Sequence, residues 1–310
     1  MRIRIGQLFR VFITLVAVLS ASTAFAQGFK GFHIQTHRPT TDPHGYITLN
    51  GARSLKTLEF FASAGFNSSH KPLTSQAPGV DLIKDATYVD LVAGLGVAQF
   101  GEAGGLSIGV DVPLILDLHG VRFNDRNRRL PSGNVADIRV NAKATLADRE
   151  ESVLGLFGQV YMDIPSGEDR NFLSNREKFT FGATVGAEKQ YSIFRAGVEV
   201  GYEWIDGEIK LGGIQIDDKL RLTGGLGVEL LSDLWLMAEI HMFSRAEHLF
   251  EAAREYPMEL GGAFRYTGEA PGEAGPSGAD FYGILGASSG LNKGIGAPDV
   301  RVFGALGLTF

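Results

Sequence analysis

The sequence predicts an all-β protein, an antiparallel up-and-down transmembrane β-barrel of about twelve strands. Three observations predict it: a short apolar N-terminal stretch built for export, period-2 alternation through most of the remaining chain, and connections that alternate between short and long.

Composition sets the outer bounds. The 310 residues are 44% hydrophobic and 21% charged, with 41 glycines and no cysteine. That is not a disordered composition. A net charge of −6 supplies no basic excess to displace counterions from phosphates, so nucleic acid is not an expected partner. Without cysteine, disulfides and thiolate metal sites are excluded.

Residues 1–26 read as a cleaved signal peptide. Arg2, Arg4 and Arg10 form a basic start, Val11 to Leu19 an apolar run, and Ala24-Phe25-Ala26 a small-x-small cleavage pattern. The apolar run is short for a membrane helix, which needs about 20 residues. Downstream, the most apolar stretch, Val89 to Leu118, is interrupted by Asp90, Glu102 and Asp111. Each would cost about 2.5–3.5 kcal/mol at the centre of a membrane helix.

Residues 27–56 form an N-terminal lead before the barrel, 57–310. His33 and His37 have the spacing of a helical metal pair, with His44 nearby. Pro39, Pro43 and Gly45 argue against a helix there, so a solvated lead is expected instead of a metal site.

The strands follow. From Asp137, the odd positions Asp137, Arg139, Asn141, Lys143 and Thr145 are polar, while Ile138, Val140, Ala142, Ala144 and Leu146 are apolar. Side chains alternate across a strand, so this segment has one apolar and one polar face. The same alternation runs through Lys178–Glu188, Phe194–Trp204, Lys219–Glu229 and Val300–Phe310. In all, the pattern marks 57–67, 87–99, 105–117, 136–147, 152–164, 177–188, 192–205, 218–230, 233–244, 257–267, 280–288 and 299–310. The segment at 280–288 is the least regular, since Phe281, Tyr282 and Ile284 do not choose a face. Segments of roughly 10–14 residues exceed the usual 5–6 of globular strands and suit a tilted bilayer crossing. Glycine mixed with charge on the polar face suits a crowded, hydrated interior.

Gln99–Gly104, Asp148–Glu151, Lys189–Tyr191 and Leu231–Ser232 are short links, whereas His119–Val135, Pro165–Arg176 and Asp206–Asp217 are long. Bacterial barrels keep short turns on the periplasmic side. Gln27 and Phe310 are therefore expected together on that side, with residues 119–135 outside. Gly268–Ala279 is an overlong exception. Outward aromatics fall in two groups, Phe66, Phe179, Phe181, Tyr202 and Trp204 near the outer rim and Phe194, Phe264, Tyr266 and Phe310 near the other. Two girdles are expected of a membrane barrel.

Val300–Phe310, apolar at every second position and ending in Phe, resembles the terminal strand read by the outer-membrane assembly machinery, which makes Phe310 an expected assembly signal. Three phrases, Asn50-Gly-Ala-Arg-Ser-Leu55, Val89-Asp-Leu-Val-Ala-Gly94 and Gly296-Ala-Pro-Asp-Val-Arg301, resemble the N-terminal barrel of long OmpA-family proteins. The resemblance implies a porin-like barrel in the cell outer membrane of a Gram-negative organism. Peptidoglycan anchoring is not expected to carry over, since these residues hold only the barrel part.

The charged groups assigned to the inner face are Glu59, Asp90, Asp111, Asp137, Asp163, Glu188, Glu199, Glu203, Glu229, Glu239 and Glu259, with Arg139, Lys143, Lys178, Arg195, Lys219, Arg221, Arg265, Arg301 and His241. Two readings stay open. In one they line a narrow, porin-like passage for small solutes. In the other they pair across strands and close a structural barrel. A third reading, an outer-membrane hydrolase, meets the difficulty that Ser244 and His241 are three positions apart and face oppositely. Gly94/Gly96 and Gly224/Gly225/Gly227 lack the spacing and the Lys-Ser/Thr ending of a nucleotide loop, so no cofactor is expected. Expected partners are outer-membrane lipid, the assembly machinery and small solutes. The basic loop carrying Arg122, Arg126, Arg128 and Arg129 adds lipopolysaccharide phosphates.

Overall fold

The computed structural model describes residues 34–310 except 75–80, 102, 121–132, 168–177, 206–208, 212–213, 248, 252–255 and 270–278. In chain order the strands are β1 (Phe60–Thr74), β2 (Asp81–Phe100), β3 (Gly104–Gly120), β4 (Ile138–Ala147), β5 (Gly155–Ile164), β6 (Thr180–Tyr191) and β7 (Phe194–Ile205). Then come β8 (Ile209–Leu211), β9 (Ile214–Ile216), β10 (Lys219–Leu231), β11 (Leu234–Arg245), β12 (Met258–Glu269), β13 (Asp280–Gly290) and β14 (Val300–Thr309). Each barrel strand pairs antiparallel with its neighbours, and β1 closes on β14 from Phe61↔Thr309 to His70↔Val300. The result is a closed barrel of twelve strands, with β8 and β9 forming a separate hairpin in the β7–β10 connection.

Alternation decides which face each side chain takes. Along β4, Asn141, Lys143 and Thr145 are buried inside, and the opposite face includes the exposed Leu146. Phe181, Val185, Val198, Val200, Leu226, Phe264, Leu285 and Leu306 are exposed on the outer surface. So continuous an apolar exterior matches hydrocarbon, not water. Phe181 packs on Phe179 and Trp204, with ring centroids 6.2 and 5.6 Å apart, at the long-loop rim. Two-residue turns, Ser192–Ile193 and Ser232–Asp233, join strands at the opposite rim. Ser192 and Asp233 take the positive φ (53° and 67°) that such tight hairpins demand.

The two largest boundary differences from the sequence reading lie at the first hairpin. β1 and β2 run past 67 and start before 87, because the wall continues beyond the alternating zone. Polar pairs hold it there: Ser68 Oγ lies 2.9 Å from Thr87 Oγ1, and His70 Nδ1 lies 2.7 Å from Asp85 Oδ1. In β13 the face is chosen: Tyr282 and Ile284 point inward and are buried.

The largest departure is the lead. It is not solvated; it threads the lumen. Ile34 sits in an apolar cluster with Leu73, Ile83, Leu118 and Ile205, at the long-loop rim. Tyr46, Leu49 and Ala52 pack on Phe157 and Met237 deeper in, and Ile47 and Leu55 on Phe61, Val92, Ile284 and Phe303. At the short-turn rim Leu58 N donates to Gly96 O (2.8 Å), and β1 begins. The described lead thus starts at the rim opposite Phe310, not beside it. Gln27 lies outside the described residues. Burial of Tyr46, Ile47, Leu49 and Leu55 explains the path: these side chains pack against apolar patches of the inner wall.

Candidate functional site

The lumen is built by the wall and the lead together. Near the long-loop rim, Arg38 Nη1 donates to Asp111 Oδ2 at 2.9 Å and Gln35 Nε2 to Asp90 Oδ1 at 3.2 Å. There Arg301 donates to Glu259 (Nε to Oε1, 2.8 Å), to Asn67 Oδ1 (2.9 Å), to Tyr88 OH (2.9 Å) and to Thr36 Oγ1 (3.3 Å). Ser288 also hydrogen-bonds Glu259.

Mid-lumen, Lys143 Nζ donates to Asp42 Oδ2 at 2.6 Å, and Thr41 Oγ1 to Asn141 Oδ1 at 3.0 Å. The Glu239 carboxylate accepts the backbone amides of Ile47, Thr48 and Leu49 at 2.9–3.0 Å. Asn50 Nδ2 donates to Glu199 Oε2 at 2.8 Å, and Arg221 Nη2 to the Thr48 carbonyl at 3.0 Å. Closer to the short-turn rim, Ala52 N donates to Glu188 Oε2 at 2.7 Å, while Arg149 and Arg195 donate to the His44 carbonyl at 2.9 and 3.0 Å. An irregular backbone cannot satisfy its own polar groups, so the wall charges take that role.

Glycine positions follow from this contact. A Cβ at Gly94 would run into the Thr41 carbonyl, and one at Gly96 into the Lys56 carbonyl. The inner face of β2 is bare there because the lead's backbone lies on it.

Of the charges assigned to the inner face, Asp90, Asp111, Asp137, Lys143, Asp163, Glu188, Arg195, Glu199, Glu203, Arg221, Glu239, His241, Glu259, Arg265 and Arg301 are buried inside. Arg139 is nearly so, and its guanidinium grips Asp163 through two bonds of 2.7 and 2.8 Å. Lys219 reaches Glu203 at 3.3 Å. Glu59, Lys178 and Glu229 are only half-buried. Glu59 accepts the Lys56 amide at 2.6 Å just before β1, and Lys178 precedes β6. Phe310 is exposed, with its ring stacked on Phe60 at 6.5 Å.

Sequence reading missed Thr36, Arg38, Asp42, Thr48, Asn50 and Arg149. Their signal was present but indirect: a Tyr46-Ile-Thr-Leu49 run with no strand partner in sequence, and glycines crowding the polar faces.

Ser244 Oγ accepts the Phe250 amide at 3.0 Å, whereas His241 lies by Glu239 and Glu259 at 3.9 and 3.6 Å. Among the described residues no cluster of three or more His, Asp and Glu could hold a metal ion. His33 and the loop arginines Arg122, Arg126, Arg128 and Arg129 lie outside the described residues.

No family model matches the chain, and no curated protein matches it. Among solved structures, the chain is similar to an outer membrane channel from Pseudomonas putida F1, with a TM-score of 0.61 at 11% identity, covering 84% of this chain and 98% of that one. It also matches the NanC porin at a TM-score of 0.47 and 10% identity, covering 81% and 98%. At such identity the first match shows a shared barrel fold.

Proposed function

We propose that this protein is an outer-membrane, porin-like channel for small solutes, held shut by its own lead segment. One observation carries the reading: a separate stretch of chain runs through the lumen and packs among the wall's side chains. Asp111, Lys143, Glu188, Glu199 and Glu239 meet lead groups. With the lead displaced, they would line a hydrated passage. Wall charges also pair with each other, as Arg139–Asp163, Arg301–Glu259 and Arg221–Glu199 do, which a closed structural barrel would share; the contacts to the lead are what favour the gated reading. Barrels of this size fall between the filled eight-stranded kind and open porins, and plugged lumens are an established solution.

The apolar exterior supports insertion in a bilayer, and residues 1–26 support export by a signal peptide in a Gram-negative cell. The strand ending in Phe310 is read as the tag for the assembly machinery, and the basic loop as a contact for lipopolysaccharide. All three OmpA-like phrases touch the lead–wall contact: Asn50 and Ala52 within the lead, Gly94 under Thr41, and Gly296 and Arg301 beside Thr36. No catalytic role is assigned, because Ser244 is engaged by Phe250 and not by His241.

A reversible lock tests the reading. Thr41 and Asn141 already hydrogen-bond at 3.0 Å. A Thr41→Cys, Asn141→Cys variant should be silent in planar bilayers when oxidised and should conduct on reduction. Equal conductance in both states overturns a lead-gated channel.

A further inference from the structure

Three guanidiniums converge at the short-turn end of the lumen. Arg195 opens β7, Arg149 lies on the β4–β5 turn, and Arg265 sits on β12 opposite Trp235 in register. Trp235 links two of them, because the Arg195 Cζ lies 5.4 Å from its ring. Arg195 and Arg149 share the His44 carbonyl and the Glu188 carboxylate. They are also the charged neighbours that Arg265 feels, together with Asp42. Glu188 bridges Arg149 and Arg195, while Asp42, whose charge reaches Arg265, is held by Lys143 at 2.6 Å.

Burial makes this imbalance informative. Arg149, Arg195 and Arg265 are 7%, 3% and 3% exposed. The Nε of all three, and Nη1 of Arg265, meet no hydrogen-bond acceptor among the described residues. The Tyr282 ring lies 5.6 Å from the Arg265 Cζ. A buried cation without an acceptor is costly, and buried donors are almost always paired. The unpaired Nε–H and Nη1–H of Arg265 lie on different edges of the guanidinium, so each offers a separate charge-assisted bond to an oxygen of a carboxylate or phosphate.

We infer that Arg265, with Arg195 and Arg149, forms a binding site for a small oxyanion, a carboxylate or a phosphate, at the short-turn mouth of the lumen. Its use as a station for anionic solutes rests on the channel reading; the binding itself does not. The bound oxyanion accepts from an unpaired N–H of Arg265 while Tyr282 covers the guanidinium's face, and Arg195 and Arg149 supply the remaining positive charge.

Isothermal titration of the full-length protein in detergent tests it, with sodium phosphate, sodium acetate and, at matched ionic strength, sodium chloride. Saturable binding of phosphate, acetate or both at one site is expected, tighter than chloride. Competition between the two identifies a general oxyanion site, and binding of one alone identifies its class. Arg265→Gln should weaken binding at least tenfold while the barrel keeps its heat-modifiable migration. If that variant does not assemble, Arg265→Lys, which keeps the charge and loses the planar guanidinium donors, should weaken it severalfold. No saturable binding, chloride binding equally well, or undiminished affinity in the assembled variant overturns the site. Binding without conduction leaves the site standing and removes the channel; conduction without binding does the reverse.

Discussion

Thr48 donates both its backbone amide and its hydroxyl to the carboxylate of Glu239, at 3.0 and 2.5 Å. With the Ile47 and Leu49 amides, a single buried carboxylate receives four donors from three consecutive residues. No other wall side chain is shown holding so many groups of the lead, so Glu239 is the clamp that fixes the lead's depth.

Glu239→Gln should loosen that clamp. The amide keeps the shape but removes the charge, and its own N–H groups would face the lead's donors. Hydrogen bonds to charged groups contribute about 1.5–3 kcal/mol each. Losing even one should therefore raise the undocked fraction at least tenfold. Chymotrypsin cleavage after Tyr46, which is fully buried in the docked lead, reports that fraction. An unchanged cleavage rate, with the barrel intact, would show that Glu239 does not hold the lead.

The wall was readable because hydrocarbon imposes a strict test on every second residue. Ile138, Val140, Ala142, Ala144 and Leu146 pass it plainly, and the same test located each of the other barrel strands. The lead was not readable for the converse reason. Its burial is inside a polar tube, and an irregular chain leaves no periodic trace. Its imprint fell on the wall instead: Tyr282, Ile284 and Phe303 break the polar pattern because Ile47 and Leu55 pack near them. The glycines at 94 and 96 bear the same imprint, since the Thr41 and Lys56 carbonyls of the lead lie against them.

The seam gives a second prediction. Phe310 exchanges both backbone hydrogen bonds with Phe60, at 2.8 and 3.0 Å, where β14 meets the start of β1. Deleting Phe310 removes both bonds, the stacked ring and the proposed assembly tag. The amount of heat-modifiable barrel in the outer membrane should fall severalfold. Normal amounts after the deletion would refute both roles.

Sidedness gives a third. Lys293, 62% exposed on the β13–β14 loop, and Ser232, on a two-residue turn, lie at opposite rims. With the long loops outside, a cysteine at Lys293 should react with an impermeant maleimide in intact cells, and one at Ser232 should not. The reverse pattern would invert the barrel.

Register gives the last, and it separates the wall from the lead. Val140 on β4 pairs with Val110 and Met162 on the outer face, whereas its neighbour Asn141 is 7% exposed and accepts the Thr41 hydroxyl. An Arg facing hydrocarbon costs about 2–4 kcal/mol near the bilayer midplane. That is a large share of the 5–15 kcal/mol that stabilises many domains. Val140→Arg should therefore lower the unfolding midpoint in lipid vesicles or block refolding. Sequence alone would have Asn141→Arg simply tolerated, since it adds charge to a charged face. The docked lead changes that expectation. An arginine at 141 should leave the barrel's midpoint within about 1 kcal/mol, since lumen positions do not meet hydrocarbon, but it should push Thr41 away and expose Tyr46 to chymotrypsin. If the two variants lose similar stability, or Asn141→Arg loses more, the assignment of the two faces fails. If Asn141→Arg is silent in both assays, the lead does not lie against β4.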